Sequence, residues 1–143
     1  MQEYLIDIVS SIQNGYDEDK IEVKTIGSFC EDTGCYHIEY DEAGEPGMDG
    51  ATTVMTIDGD RQITLVRTGE LSAKMVLEKG QRHLCHYDTP FGEMMVGIFT
   101  ENIRSNLNPR GGELNFRYSV DINSAFSSNN EVSIMIREAA KRV

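Results

Sequence analysis

The chain has 143 residues, which fits a single domain over residues 1–143 with a proper hydrophobic core. Its 24 acidic and 13 basic side chains leave a net charge of −11. Such a surface repels phosphate backbones and anionic lipids, so we expect no nucleic-acid partner and no membrane partner. No apolar run approaches the roughly 20 residues that cross a bilayer.

The N-terminal residues indicate the compartment. Met1, Gln2, Glu3 and Tyr4 lack the basic start and the apolar core of a signal peptide. We therefore expect a cytoplasmic protein, in which cysteines stay as thiols.

Strand signals follow one another along the chain, with tight turns between most of them. A loop rich in glycine, proline and acidic residues separates the third strand from the fourth, and a looser stretch over residues 106–112 precedes the last hairpin. A short helix is suggested at residues 138–142. The predicted strands cover residues 5–12, 21–30, 35–40, 51–57, 62–67, 72–77, 81–89 and 93–100, followed by a hairpin over 112–136.

The last hairpin shows the pattern most clearly. Apolar residues alternate with polar ones on both sides of a predicted turn at residues 127–130, so one face of each strand is buried and the other is wet. The apolar positions are Leu114, Phe116, Tyr118, Val120, Ile122, Val132, Ile134 and Ile136.

Short, evenly spaced strands joined by hairpins predict an all-β fold, an antiparallel up-and-down β-barrel of about ten strands. A closed barrel also removes the exposed strand edges that invite aggregation. The period does not fix which face of residues 81–89 and 93–100 lies inside. Arg82–Tyr87 carries polar groups on both faces, and apolar residues occupy both faces of 93–100.

Residues 80–92, which read GQRHLCHYDTPFG, are the most distinctive stretch. Together with residues 65–69, residues 111–114 and Tyr118, they resemble the DUF1934, or YwiB-like, family of bacterial proteins, and the resemblance covers nearly the whole chain. It implies a calycin-like barrel related in shape to lipocalins, and it brings no ligand, cofactor or catalytic residue. The chain departs from true lipocalins because it has no tryptophan for their Gly-x-Trp signature.

A barrel of this size can enclose a ligand cavity. Arg67 shares its phase with Ile63 and Leu65, so it is predicted to point inward, where an unpaired cation is costly. A ligand carboxylate or phosphate would pair with the guanidinium. The alternatives are an acidic side chain near the barrel mouth, or a strand end in water.

Tyrosines and a methionine complete the predicted ligand site. Tyr40, Tyr87 and Tyr118 would pack their rings and offer hydroxyls, and Met75 would line an adaptable wall. The alternative for all four is ordinary core packing.

The cysteines and histidines suggest a further possibility. Cys30 and Cys35 flank residues 31–34, a predicted four-residue loop that would place the two thiols opposite each other, close enough for a bridge. These cysteines with His37, and the group His83, Cys85 and His86, are the types of residue that bind zinc. Their spacing matches no standard zinc motif, so no metal and no cofactor are predicted.

Catalysis is not expected. In a strand, His86 lies on the opposite face from Cys85, and His83 lies about 7 Å away along the same face, too far for a hydrogen bond. No serine stands in a nucleophile elbow, and no glycine-rich loop leads into a helix.

The sequence therefore predicts a non-enzymatic barrel that binds a small amphipathic or anionic molecule. The alternative is a protein-interaction module with a packed barrel, acting through the acidic loop at residues 42–50 or through the tip at Pro90, Phe91 and Gly92. A weaker alternative is a thiol or metal protein.

Overall fold

The computed structural model describes residues 2–42, 51–69, 71–123 and 125–139. Ten antiparallel strands form a closed barrel in which each strand pairs with its neighbours in sequence and β10 returns to β1. The predicted all-β, up-and-down barrel is confirmed. The strands are β1 (Tyr4–Asn14), β2 (Asp17–Asp32), β3 (Cys35–Glu42), β4 (Ala51–Asp58), β5 (Gln62–Thr68), β6 (Ala73–Glu78), β7 (Arg82–Thr89), β8 (Gly92–Asn108), β9 (Gly111–Ile122) and β10 (Ala125–Glu138).

Alternating burial builds the barrel wall. In β4, Ala51, Thr53, Met55 and Ile57 are buried, and the residues between them are half-buried. Because successive side chains of a strand point to opposite faces, this alternation places one set inside the barrel. The predicted inner face of the last hairpin is confirmed in the same way, with Leu114, Phe116, Val132, Ile134 and Ile136 buried.

The two ends of the barrel differ. We call the end that carries the connections after β1, β3, β5, β7 and β9 the rim, and the opposite end the base. Toward the base the interior is packed by large side chains that include Ile6, Ile57, Ile63, Leu114 and Ile134, all fully buried.

Aromatic rings add to the packing at the base. Phe29 meets Tyr4 edge-on and stacks on Tyr36, with ring centroids 5.3 Å apart in both pairs. Such ring pairs contribute about 0.5–1.5 kcal/mol each beyond the area they bury.

The structure settles the inward face of β7 and β8. Cys85, Val96 and Ile98 are buried inside, whereas Leu84 is 66% exposed and Met95 is 49% exposed on the outer face. No helix in the described part of the chain is long and apolar enough to cross a membrane.

The last hairpin turns earlier than predicted. β10 already begins at Ala125, and the turn contains Asn123 with a φ of 53°. Asparagine tolerates this left-handed conformation, so Asn123 favours a turn at this point. The serine and asparagine cluster at 127–130, where the turn was predicted, lies within β10 instead. An irregularity in register between Phe126 and Ser128 takes up the extra residue.

Other predicted boundaries also shift. β8 continues through the stretch predicted to be loose and ends at Asn108. β10 extends to Glu138, and residues 140–142 of the suggested helix lie outside the described residues. Most of the predicted acidic loop, residues 43–50, also lies outside them.

Ile21 and Val23 share the alternating phase of Phe29 in β2, but they do not share its burial. Phe29 is buried, but Ile21 is 44% and Val23 is 38% exposed. Among the described residues, β3 pairs with β2 only from Gly27 to Asp32, so the rim half of β2 pairs with β1 alone. Charged residues from Asp17 to Lys24 lie along this edge and disfavour its pairing with other chains.

Gly27 lies where β2 joins both of its neighbours. It is opposite Tyr4 on one side and Tyr40 on the other. A Cβ added there would collide with the carbonyl oxygen of Glu39 and would lie 2.9 Å from Cδ1 of Ile6. Glycine is therefore required for the barrel to close at this position.

Replacing Gly27 with alanine is expected to destabilise the fold by about 1–3 kcal/mol, because backbone and core must shift to admit the methyl group. Urea denaturation of the variant measures the change. Gly15→Asn is the control: Gly15 has open space around it, and asparagine tolerates its φ of 66°. An equal stability of Gly27→Ala and the native chain would contradict the close contact.

Candidate ligand-binding site

A cavity of about 360 Å³ occupies the rim half of the barrel interior. Nine strands, all except β2, contribute side chains to its wall. Most of the lining is leucine, isoleucine, valine, methionine and phenylalanine, and the polar members are Ser10, Tyr40, Arg67, Tyr87 and Tyr118. An apolar hollow of this volume with a few convergent polar groups is typical of a small-molecule site.

The five predicted ligand-binding residues meet at this cavity. Arg67, Tyr40, Tyr87, Tyr118 and Met75 all belong to its lining. Arg67 and Met75 come from β5 and β6, Tyr40 from β3, and Tyr87 and Tyr118 from β7 and β9. The inward phase predicted for Arg67 therefore agrees with its wall position, and the face of Tyr87, which the period left open, is the inward one.

Arg67 is the cation of the cavity wall. Its Nη1 and Nη2 lie 3.4 and 3.5 Å from the Tyr87 hydroxyl, and its Cζ lies 5.4 Å from the centre of the Tyr87 ring. Its Nε is buried, and no described residue forms a hydrogen bond with it. No carboxylate of the described residues lies within 4 Å of the guanidinium, so the predicted alternative of an acidic partner is not seen there.

Tyr118 lies near Tyr87 in the wall of the same cavity. Burial, with a smaller contribution from Tyr87, raises the pKa of its phenol to about 12. Tyr118 therefore keeps its proton at neutral pH, and it also stacks on Phe116 with centroids 6.0 Å apart. A neutral hydroxyl in an apolar wall can donate a hydrogen bond to a bound acceptor.

Tyr40 and Met75 shape the wall. Tyr40 is 8% exposed, and it lies opposite Gly27. Met75 is partly buried and packs against the core. Both positions also fit the core-packing alternative, since each side chain fills interior volume.

Sequence reasoning left some wall residues unassigned to the site, among them Ser10 from β1 and Phe116, Val120 and Ile122 from β9. The alternation of β9 already placed those three with Tyr118 on one face. Extending the site along that face would have found them.

The prediction that Cys30 and Cys35 face each other is wrong. The register places Cys30 opposite His37 and Cys35 opposite Asp32. The reason is the turn, which has two residues, Thr33 and Gly34, with φ values of 51° and 85° instead of the four predicted. Both cysteines are free thiols.

The side chains of His83, Cys85 and His86 do not come together either. Cys85 is buried, and this burial raises the pKa of its thiol. A backbone hydrogen bond with Val76 opposes part of the rise. The Nε2 of His83 lies 2.8 Å from Glu78 Oε1, and His86 lies on the outer face. In the described residues these three side chains form no common metal site.

The Tyr118 phenol predicts a specific pH dependence. An unfolded tyrosine ionises near pH 10, whereas folded Tyr118 keeps its proton to about pH 12. Its contribution to stability is therefore complete below pH 10 and is lost as the pH rises through 12, because only the unfolded chain releases the proton in that range.

We expect Tyr118→Phe to lose less stability than the native chain between pH 9 and pH 11, as measured by urea midpoints. Tyr16→Phe, which changes a fully exposed tyrosine, should keep the native loss. The same loss in Tyr118→Phe and the native chain would contradict the assignment of the raised pKa.

Comparison with known proteins places the chain among relatives. It superimposes on the crystal structure of the ywiB protein from Bacillus subtilis with a TM-score of 0.85 and 18% identity, covering 97% of this chain and 93% of that one. At this identity the likeness shows the shared fold. No curated protein sequence matches the chain.

A sequence-family comparison gives a more direct assignment. The family described as "Domain of unknown function (DUF1934)" matches residues 6–134, which span nearly the whole barrel. The chain therefore belongs to the DUF1934 family.

Proposed function

We propose that the protein is a non-enzymatic binding protein whose barrel holds a small amphipathic molecule with an anionic head group. The observation that carries this proposal is Arg67, a cation in the wall of an apolar cavity, whose buried Nε has no hydrogen-bond partner among the described residues. Among the described side chains, the Tyr87 hydroxyl lies 3.4–3.5 Å from the guanidinium, which is long for a hydrogen bond.

The energetics favour an anion. A partly desolvated guanidinium gains from a carboxylate or phosphate, since charge-assisted hydrogen bonds are about twice as strong as neutral ones. Tyr118, with its phenol still protonated, supports the same head group as a neutral donor. The barrel interior then supplies the water-poor surroundings in which such contacts strengthen.

The apolar wall suits the rest of the ligand. Leu77 and Ile98 are fully buried, and with Phe116 they line the cavity on the side of the packed core. An alkyl or aromatic tail placed there would contribute about 25 cal/mol for each Å² of apolar surface removed from water. This term also offsets the long-range repulsion between an anion and a chain of net charge −11.

The proposal includes a cytoplasmic location and a free small molecule as the partner. The net negative charge repels nucleic acid and anionic membranes at the surface. The pairing of one small anion with Arg67 is a short-range contact inside the barrel, where this repulsion matters less. A small ligand inside the barrel therefore fits the charge better than a polyanion on its surface.

A protein-interaction role is the second candidate. Phe91 at the rim is fully exposed, and it does not fold over the barrel end. An exposed aromatic side chain is a common contact in protein interfaces. The cavity counts against the form of this candidate in which the barrel is packed throughout.

Decanoate is the probe for the proposed site, and decanol of the same chain length is its uncharged counterpart. We expect the native chain to bind decanoate more tightly than decanol in isothermal titration calorimetry. Arg67→Met should weaken decanoate binding about 10–100-fold, the loss of hydrogen bonds to a charged group, and should leave decanol binding nearly unchanged.

Arg104→Met is the matched control, because Arg104 is exposed on the outer wall of the barrel. It should bind both probes like the native chain. The proposal would be overturned by equal affinity for the two probes in the native chain, or by equal effects of the two arginine substitutions.

A further inference from the structure

Three metal-binding side chains meet on the outer face of the barrel, near the rim end of the β7–β8 hairpin. Asp88 and Glu93 are directly opposite each other in the register, and His86 lies two residues before Asp88 on the same face. One ring nitrogen of His86 and one carboxylate oxygen from each acid lie within 4.8 Å of one another. This is the one such group in the part of the chain that the structure describes.

The imidazole of His86 lies between two carboxylates. Its Nε2 is 2.9 Å from Asp88 Oδ1 and its Nδ1 is 2.9 Å from Glu93 Oε1. Neutral imidazole carries a single N–H, so in that form one of these contacts brings a nitrogen lone pair against a carboxylate oxygen. A cation bound at that nitrogen would replace the repulsive contact with ligation by both atoms.

Ser72, in the connection between β5 and β6, holds Asp88 in place. The hydroxyl of Ser72 donates to Asp88 Oδ2 at 2.8 Å, and the backbone N–H of Ser72 lies 3.3 Å from the same oxygen. These bonds lower the pKa of Asp88 and keep it ionised. They occupy one oxygen and leave the other directed toward His86.

The opposed carboxylates need positive charge. Like charges directly opposite in a sheet are destabilising. Lys74 is paired with His86 in the register, but its ammonium lies farther than 4 Å from both acids in the described structure. The imidazole lies between them, 2.9 Å from each carboxylate.

We propose that His86, Asp88 and Glu93 bind a divalent transition-metal ion such as Zn²⁺. Three protein ligands with one nitrogen and two oxygens suit zinc and leave a position for water. The imidazole favours zinc over calcium or magnesium, which prefer oxygen ligands alone. This site lies on outer-face residues and is independent of the proposed ligand cavity.

A bound metal ion would also hold cavity-wall residues of β7 and β8 in position. Tyr87 lies between His86 and Asp88 in sequence and points into the cavity, where it contacts Arg67. Met94 follows Glu93 and lines the same cavity. A bound ion bridging β7 to β8 would therefore hold both wall residues in position.

The test uses Zn²⁺ alone, added to the Cys30→Ser/Cys35→Ser chain so that the two accessible thiols cannot bind it. We expect calorimetry to give one equivalent of zinc, and the His86 ring nitrogen resonances to shift on binding. Adding His86→Ala should abolish binding, and Asp88→Asn or Glu93→Gln should weaken it at least tenfold.

His83→Ala is the matched control, because His83 has a single carboxylate partner in Glu78. It should bind zinc like its parent, and circular dichroism should show every variant folded. Absence of zinc binding to the parent would overturn the proposal. Binding that leaves the His86 resonances unchanged, or that survives His86→Ala, would do so as well.

Discussion

The closed ring of ten hydrogen-bonded strands is the constraint on which the rest of this structure depends. Barrel diameter grows with strand number, and about eight strands already give an interior that side chains can just fill. With ten strands, filling requires large residues at every inward position. The base meets this requirement with isoleucine, leucine and the Tyr4, Phe29 and Tyr36 rings, whereas the rim half includes a serine and several valines and keeps a cavity.

Tyr87 links the two chemical features of the molecule. Its side chain contacts Arg67 inside the barrel, and its sequence neighbours His86 and Asp88 point outward. Because side chains alternate across a strand, one short segment of β7 serves both faces of the wall. The interior face is apolar with one cation, whereas the outer face at this point is rich in carboxylates.

Much of the fold and of the candidate site followed from periodicity. Apolar and polar residues alternate along β9 and β10, so the inward phase of Tyr118 could be predicted directly, and that of Arg67 followed from its phase with Ile63 and Leu65 in β5. Register was harder, because it depends on turns. A two-residue turn at Thr33 and Gly34 moved Cys30 away from Cys35, and a left-handed Asn123 moved the last turn.

The outer-face cluster was missed for a related reason. Asp88 and Glu93 are five residues apart in sequence, and they meet only because the β7–β8 register places them opposite each other. Exposure in the rim half of β2 could not be read from its apolar pattern either. Among the described residues this half of β2 has no second neighbouring strand, which is a property of topology and leaves no local sequence signal.

The pairing of β1 with β10 has a consequence for how the chain folds. It joins Tyr4 to Glu138 and Gln13 to Asn129, contacts that span almost the entire sequence. Contacts of such high sequence separation slow folding, because the loop entropy is lost before the contact forms. Until β10 has been synthesised, β1 lacks one of its two partners, and an unpaired strand edge of this kind favours aggregation.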